Sequence, residues 1–211
     1  MRLHRDAVPP LYALTDDVEA SLLTERLAEL IAAGVRWIQI RSKNIPDDQL
    51  YRVVREAEGM MPAKVMLFVN DRVDVAVAAS ADGVHLGKHD LPPDAARMVA
   101  GDRELLIGCS THSAEDAIAA AACEEVDYVA LGPIFSSLTK NVREPLGLDE
   151  LARARKGIGK PLIAIGGITA GNIGGIMQAG ADSAAIIAAI YERGTIAENV
   201  RRLLEAMEKE R

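Results

Sequence analysis

The residues of this 211-residue chain best suited to chemistry are carboxylates that close apolar runs. Asp71 follows the run at 65–69 and Asn70; Asp90 follows the run at 83–86 through Gly87, Lys88 and His89. Between them, residues 72–79 read as one short helix, so the spacing predicts both aspartates at the same ends of two neighbouring parallel strands. Two carboxylates so placed outline a site for a hard divalent cation such as Mg2+, which fills its other positions with water and phosphate oxygens. Each aspartate alone also has a plainer reading, Asp71 as a helix N-cap and Asp90 as a turn residue before Leu91, Pro92 and Pro93.

Cations and hydroxyls stand at comparable positions. Gln39, Arg41 and Lys43 alternate onto one face at the end of the run at 37–40. Arg offers a fork of donors and Lys a point charge, a combination suited to a polyphosphate. Ser110 ends a further apolar run, where its hydroxyl could hold a substrate heteroatom or cap a helix. The polar loop at 135–146 carries hydroxyls at Ser137 and Thr139 and then Lys140, a set that could close over the same anion. Gly166 and Gly167 offer bare backbone to a phosphate, and Ile187 and Ala188 stand at the end of the last strand. Two anion sites emerge: a cationic, metal-assisted one over strands two to four and the strand-six loop, and a neutral, backbone-based one at strands seven and eight. A transferase joining two phosphorylated substrates needs such a pair.

Elements must position these groups. Apolar runs at 11–14, 37–40, 65–69, 83–86, 105–109, 128–131, 161–165 and 182–188 alternate with helical periodicity at 18–33, 50–57, 72–79, 92–100, 113–124, 148–155, 172–179 and 196–208. The strands are near-continuous Val, Ile, Leu and Ala without hairpin signals. This predicts an α/β protein, a parallel sheet covered by helices and most economically closed into a (β/α)8 TIM barrel, with 1–211 as a single domain. An open doubly wound sheet is the alternative, but it usually carries a Gly-rich turn after its first strand, and Thr15-Asp16-Asp17 is not one. In a barrel, functional residues collect at the C-terminal strand ends.

Composition narrows the partners. A chain 49% hydrophobic can bury a large core, and a net charge of -7 with pI near 5.2 argues against a nucleic-acid partner. No apolar run approaches the roughly 20 residues of a membrane span, and the N-terminal segment does not resemble a signal peptide, so no membrane partner and a cytoplasmic location are expected. Cys109 and Cys123 lack metal-ligand spacing and read as buried thiols. The oligomeric state is open, a homo-oligomer included.

The segments LYALTDD, IQIRSK, VNDRVDVA, ADGVHLGKHDLP, GCSTHS, DYVALGPIFSSLTK and AIGGI, in this order through nearly the whole chain, resemble the thiamine-phosphate synthase (thiamine-phosphate pyrophosphorylase) family. The resemblance implies a (β/α)8 barrel enzyme that joins 4-amino-2-methyl-5-hydroxymethylpyrimidine diphosphate to 4-methyl-5-(2-phosphoethyl)thiazole, giving thiamine phosphate and pyrophosphate. It implies Mg2+ held by Asp71 and Asp90, pyrophosphate held by Arg41, Lys43, Asn70 and Lys140, and the pyrimidine contacted by Gln39 and Ser110. Ser137 and Thr139 then serve the leaving group and thiazole phosphate region, and Gly167, Ile187 and Ala188 the thiazole phosphate. The implied reaction is dissociative: pyrophosphate departs and the thiazole nitrogen captures a pyrimidine-stabilised methylene cation. Fixed positive charge on the departing oxygens lowers that barrier without a protein nucleophile.

The chain departs from the family pattern at Lys88 and Leu146, where Gln is usual, at Ser137, where Thr is usual, and at Ala188, where Ser commonly contacts phosphate. Ala188 loses the hydroxyl and keeps the backbone N–H, which bears on thiazole-phosphate affinity. The sister thiazole tautomerases share the barrel but place a catalytic His in the strand-six segment, where this chain has Pro133; His85 and His112 are the general bases such a reading needs. A third reading, a non-catalytic regulatory barrel binding thiamine precursors, has no need of Asp71, Asp90, Arg41, Lys43 and Lys140 together.

Overall fold

A computed structural model describes residues 3–136 and 144–209. Strands β1 (Leu11–Leu14), β2 (Trp37–Ile40), β3 (Met66–Asn70), β4 (Gly83–Leu86), β5 (Leu106–Thr111), β6 (Tyr128–Leu131), β7 (Leu162–Ile165) and β8 (Ser183–Ile186) close in sequence order into a barrel. Every pairing is parallel, β8 to β1 included. Helices α1 (Ala20–Ala32), α2 (Asp47–Met60), α3 (Val73–Ala79), α4 (Pro93–Ala100), α5 (Ala114–Ala122), α6 (Gly147–Gly157), α7 (Ile173–Gln178) and α8 (Ile196–Glu208) follow the strands in turn. The expected (β/α)8 barrel is the observed fold. Short strands buried along their whole length, such as those at 11–14, 37–40 and 128–131, suit parallel pairing beneath a helical coat.

Two apolar layers result. One lies between strands and helices, with Leu23, Leu27, Val54, Ile107 and Leu203 among its buried members. The other fills the barrel itself with Tyr12, Trp37, Phe68 and Tyr128, whose ring centroids lie 4.8–6.1 Å apart in tilted and edge-on contacts. Glycines make that packing fit. A Cβ at Gly83 would overlap the Phe68 ring, and one at Gly108 would overlap the Tyr128 ring.

An aspartate precedes each of β4, β6 and β8. Asp82 accepts from the Leu67 N–H at 2.7 Å, Asp127 from Ile107 at 2.8 Å and Asp182 from Leu162 at 2.8 Å, tying each strand start to its predecessor. Arg97 reaches Asp127, and Arg5 and Arg155 both reach Asp182. These clamps sit at the N-terminal end of the barrel, the end concerned with stability.

The elements differ from the sequence expectation mainly at the strand ends. β3 takes in Asn70, and β5 runs on through Ser110 and Thr111. β8 stops at Ile186, because Ile187 leaves the extended region (φ -116°, ψ -80°) and Ala188–Ile190 forms a turn of 3-10 helix. Asp71 is not the N-cap of α3; Arg72 holds that position, and Asp71 lies before it at a φ of 63°. Among the described residues no helix is long and apolar enough to cross a membrane.

Candidate active site at the C-terminal strand ends

The first turn of the chain builds one wall of the site. The Thr15 hydroxyl, buried, accepts from the Arg41 N–H at 2.9 Å and donates to the Arg41 carbonyl at 3.2 Å. Asp17 accepts from the Lys43 N–H at 3.2 Å and from the Asn44 amide at 2.9 Å. The loop after β2 is thereby pinned to the end of β1, with Arg41 half-buried and Lys43 exposed. Among the described residues the ion pairs engage other arginines, such as Arg26, Arg72 and Arg153, and none engages Arg41 or Lys43. Thr15 and Asp17 were missed as positioning residues, although they stand in the quoted LYALTDD segment.

Asp71 and Asp90 meet across β3 and β4. The Asp71 N–H donates to the His85 carbonyl at 2.8 Å, extending the β3–β4 ladder beyond Asn70. The Asp90 carboxylate folds back to accept from the Gly87 N–H at 2.6 Å, so the turn role expected for it holds. Burial, followed by a shared hydrogen bond and the charge of Asp90, pushes the Asp71 carboxyl up to about 6, against the pull of Lys43 and the Asn70 amide. Two carboxylates near enough for one to raise the other are an oxygen donor set that a hard cation fits, with phosphate and water completing it. Among the described residues no group of three or more His, Cys, Asp or Glu is placed to hold a metal.

Gln39 and Ser110 lie on the interior face, Gln39 buried and Ser110 half-buried. Gln39 donates through Nε2 to the Tyr12 hydroxyl at 2.7 Å, and its Oε1 is buried without a hydrogen-bond partner. The Ser110 Oγ lies 2.9 Å from His85 Nε2. His85 is 6% exposed, and burial holds its imidazole down to about 4, hence neutral. His112 Nδ1 is occupied by the Gly132 carbonyl at 2.8 Å.

The opposite wall carries the glycines. Gly166 and Gly167 have φ of 101° and 63°, and a Cβ at Gly167 would strike the carbonyls of Phe135 and Ser136. The Phe135 N–H donates to the Gly166 carbonyl at 3.0 Å, so the pair seats the start of the loop after β6 against β7. Asn172, another residue the sequence reading passed over, holds the Gly167 carbonyl through Nδ2 at 3.0 Å. Ile187 is half-buried and Ala188 exposed at the neighbouring strand end. Lys88 is exposed, whereas Leu146 packs against the core. Ser137, Thr139 and Lys140 lie outside the described residues.

A sequence model described as thiamine monophosphate synthase matches residues 11–190. A thiamine-phosphate synthase of Koribacter versatilis is 42% identical over 188 residues, covering 86% of this chain and 88% of that protein. One from Methanoculleus marisnigri is 43% identical over 197 residues, 92% of each. Among solved structures, a thiamine phosphate pyrophosphorylase from Pyrococcus furiosus superposes with a TM-score of 0.82 at 30% identity, covering 97% of this chain and 98% of that one.

Proposed function

The chain belongs to the thiamine monophosphate synthase family, and on that premise we propose how its barrel mouth divides the work of condensing the pyrimidine diphosphate with the thiazole phosphate. The products are thiamine phosphate and pyrophosphate, and the enzyme is a transferase. One observation carries the assignment of the diphosphate end: Asp71 and Asp90 follow the ends of the paired strands β3 and β4, near enough for the charge of Asp90 to raise the Asp71 carboxyl and that of Lys43 to oppose it. Asp71 and Asp90 would hold Mg2+, which supplies positive charge to the departing oxygens. Arg41, Lys43 and Asn70 bind and orient the diphosphate, with Lys140 joining them from the loop after β6. Gln39 and Ser110 face the pyrimidine, and the orphaned Gln39 Oε1 supports this, since a buried acceptor without a partner is costly unless a ligand supplies the donor.

Positive charge fixed around the leaving group favours heterolysis of the C–O bond, and a methylene cation stabilised by the aminopyrimidine ring is captured by the thiazole nitrogen. No protein nucleophile is needed. Gly167, with Ile187 and Ala188, takes the thiazole phosphate through backbone amides, and Ser137 and Thr139 serve the region between the two phosphates. A cytoplasmic location fits this chemistry. The tautomerase reading is less well supported, because both ring nitrogens of His85 are engaged and His112 is held by a carbonyl.

The test is a coupling assay on the purified protein with both substrates and Mg2+. Thiamine phosphate and pyrophosphate are expected in equal amounts, and EDTA should stop their formation. Tautomer conversion without coupling would sink the assignment; full rates in EDTA would remove the metal role of Asp71 and Asp90.

A further inference from the structure

Five polar side chains on five strands form one continuous hydrogen-bonded path through the barrel interior. Gln39 Nε2 lies 2.7 Å from the Tyr12 hydroxyl, which lies 3.1 Å from the Tyr128 hydroxyl. Tyr128 in turn lies 3.1 Å from His85 Nδ1, and His85 Nε2 lies 2.9 Å from Ser110 Oγ. Tyr12 and Tyr128, the middle of the path, are each at most 1% exposed, so bulk water does not substitute for a missing partner between them. Gly108 makes the path possible, because any Cβ there would occupy the space of the Tyr128 ring.

Proton counting gives the path a direction. A tyrosine hydroxyl has one proton, so a tyrosine that receives a hydrogen bond from one neighbour passes its own proton to the next. With Gln39 Nε2 as donor, Tyr12 donates to Tyr128 and Tyr128 donates to His85 Nδ1. A neutral His85 then carries its proton on Nε2 and donates to Ser110. Two valences are left over at the two ends: the Oε1 acceptor of Gln39, which has no partner, and the hydroxyl proton of Ser110. Reversing the Gln39 amide would reverse every link together, since no intermediate arrangement satisfies all five groups.

We propose that Tyr12, Tyr128 and His85 are positioning residues that fix the polarity of the site, holding an acceptor at Gln39 and a donor at Ser110. The site therefore selects a heterocycle that offers an exocyclic amino donor and a ring-nitrogen acceptor, and rejects its oxo counterpart, in which both polarities are inverted. This rests on the reading that Gln39 and Ser110 face the pyrimidine.

Two measurements test it. Nitrogen-15 NMR of the ligand-free protein, with the His85 signals assigned by their loss in His85→Asn, should find the proton on Nε2. A proton on Nδ1 overturns the polarity whatever the enzyme turns over. Binding of 4-amino-2-methyl-5-hydroxymethylpyrimidine monophosphate should exceed that of its 4-oxo counterpart by roughly 100-fold in the wild type, because mismatched buried polar groups are left unpaired. In Tyr12→Phe and in Tyr128→Phe the ratio should fall below about tenfold, with KM for the diphosphate raised and kcat within about threefold of wild type. Equal binding of the two probes to the wild type, or undiminished discrimination in the Phe variants, overturns the proposal. Failure of the coupling assay with the Nε2 tautomer present would instead fault the substrate assignment. Should one Phe variant not fold, the other and the NMR measurement still decide.

Discussion

Asp71 occupies the left-handed region at φ 63°, where a side chain other than Gly costs on the order of 1 kcal/mol. Its carboxyl is also pushed up to about 6 by burial and by Asp90. Both costs fall on the Asp71 side chain and both are relieved by glycine. Asp71→Gly should therefore raise Tm by a few degrees while lowering kcat by roughly 10²-fold or more, the loss typical of removing a group that stabilises leaving-group charge. Thermal melting beside the coupling assay checks it; a variant that is less stable, or as active as wild type, counts against the account of this site. Asp90→Ala should cost similar activity, and in addition frees the Gly87 N–H. His85 supplies the pH dependence. Its folded value of about 4 lies below the ordinary 6.5, so the unfolded chain takes up a proton that the folded chain refuses. The contribution is complete above about 6.5 and is lost progressively down to about 4, to a total of roughly 3 kcal/mol. Asp71 has the opposite sign over an overlapping range, being raised. The measurement is accordingly a difference: denaturant stability at pH 7 and pH 5 for wild type and for His85→Gln, with the wild type losing more on acidification.

At the scale of elements, the site depends on how strand ends are held. Thr15 and Asp17 pin the loop after β2, while the Asp71 N–H and the His85 carbonyl continue the β3–β4 ladder. The Gly166–Gly167 pair then lets the backbone after β6 lie against β7. Gly167→Ala combines an unfavourable φ with overlap onto the Phe135 and Ser136 carbonyls, so it should displace the loop that leads to Ser137, Thr139 and Lys140. KM for both substrates is expected to rise about tenfold or more, with a stability loss of about 1–2 kcal/mol. Unchanged kinetics would mean that the loop does not lean on this strand. The apolar runs predict that β5 ends at Cys109 and that β8 extends through Ala188. The apolar runs stop and continue there respectively, whereas the backbone follows the ladder: Ser110 and Thr111 pair with Ala130 and Leu131.

For the whole molecule, the two ends of the barrel divide stability from chemistry. Asp182 ties β7 to β8 and receives Arg5 and Arg155 at the end remote from the carboxylate pair. Asp182→Ala removes the partner of a buried backbone N–H and should cost about 1–3 kcal/mol, read as a lower Tm, with KM and kcat near wild type. A large kinetic effect would show that the ends are coupled. The fold was legible in the sequence because a parallel barrel buries each strand on both faces, which leaves an unbroken apolar run as its signature. The strand-end placement of Arg41, Asn70, Asp71 and Asp90 was legible for the same reason, since counting strands locates their ends. Composition and spacing could not reveal the path from Gln39 to Ser110. Its members are ordinary strand residues, and Tyr12 and Tyr128 stand 116 positions apart until closure of the barrel brings β1 and β6 face to face across its interior. That Asp71 is not the cap of α3 was likewise decided by tertiary structure: Arg72 takes that place, and the φ of 63° and the neighbouring carboxylate at Asp71 arise where β3 and β4 meet, which neither strand encodes alone.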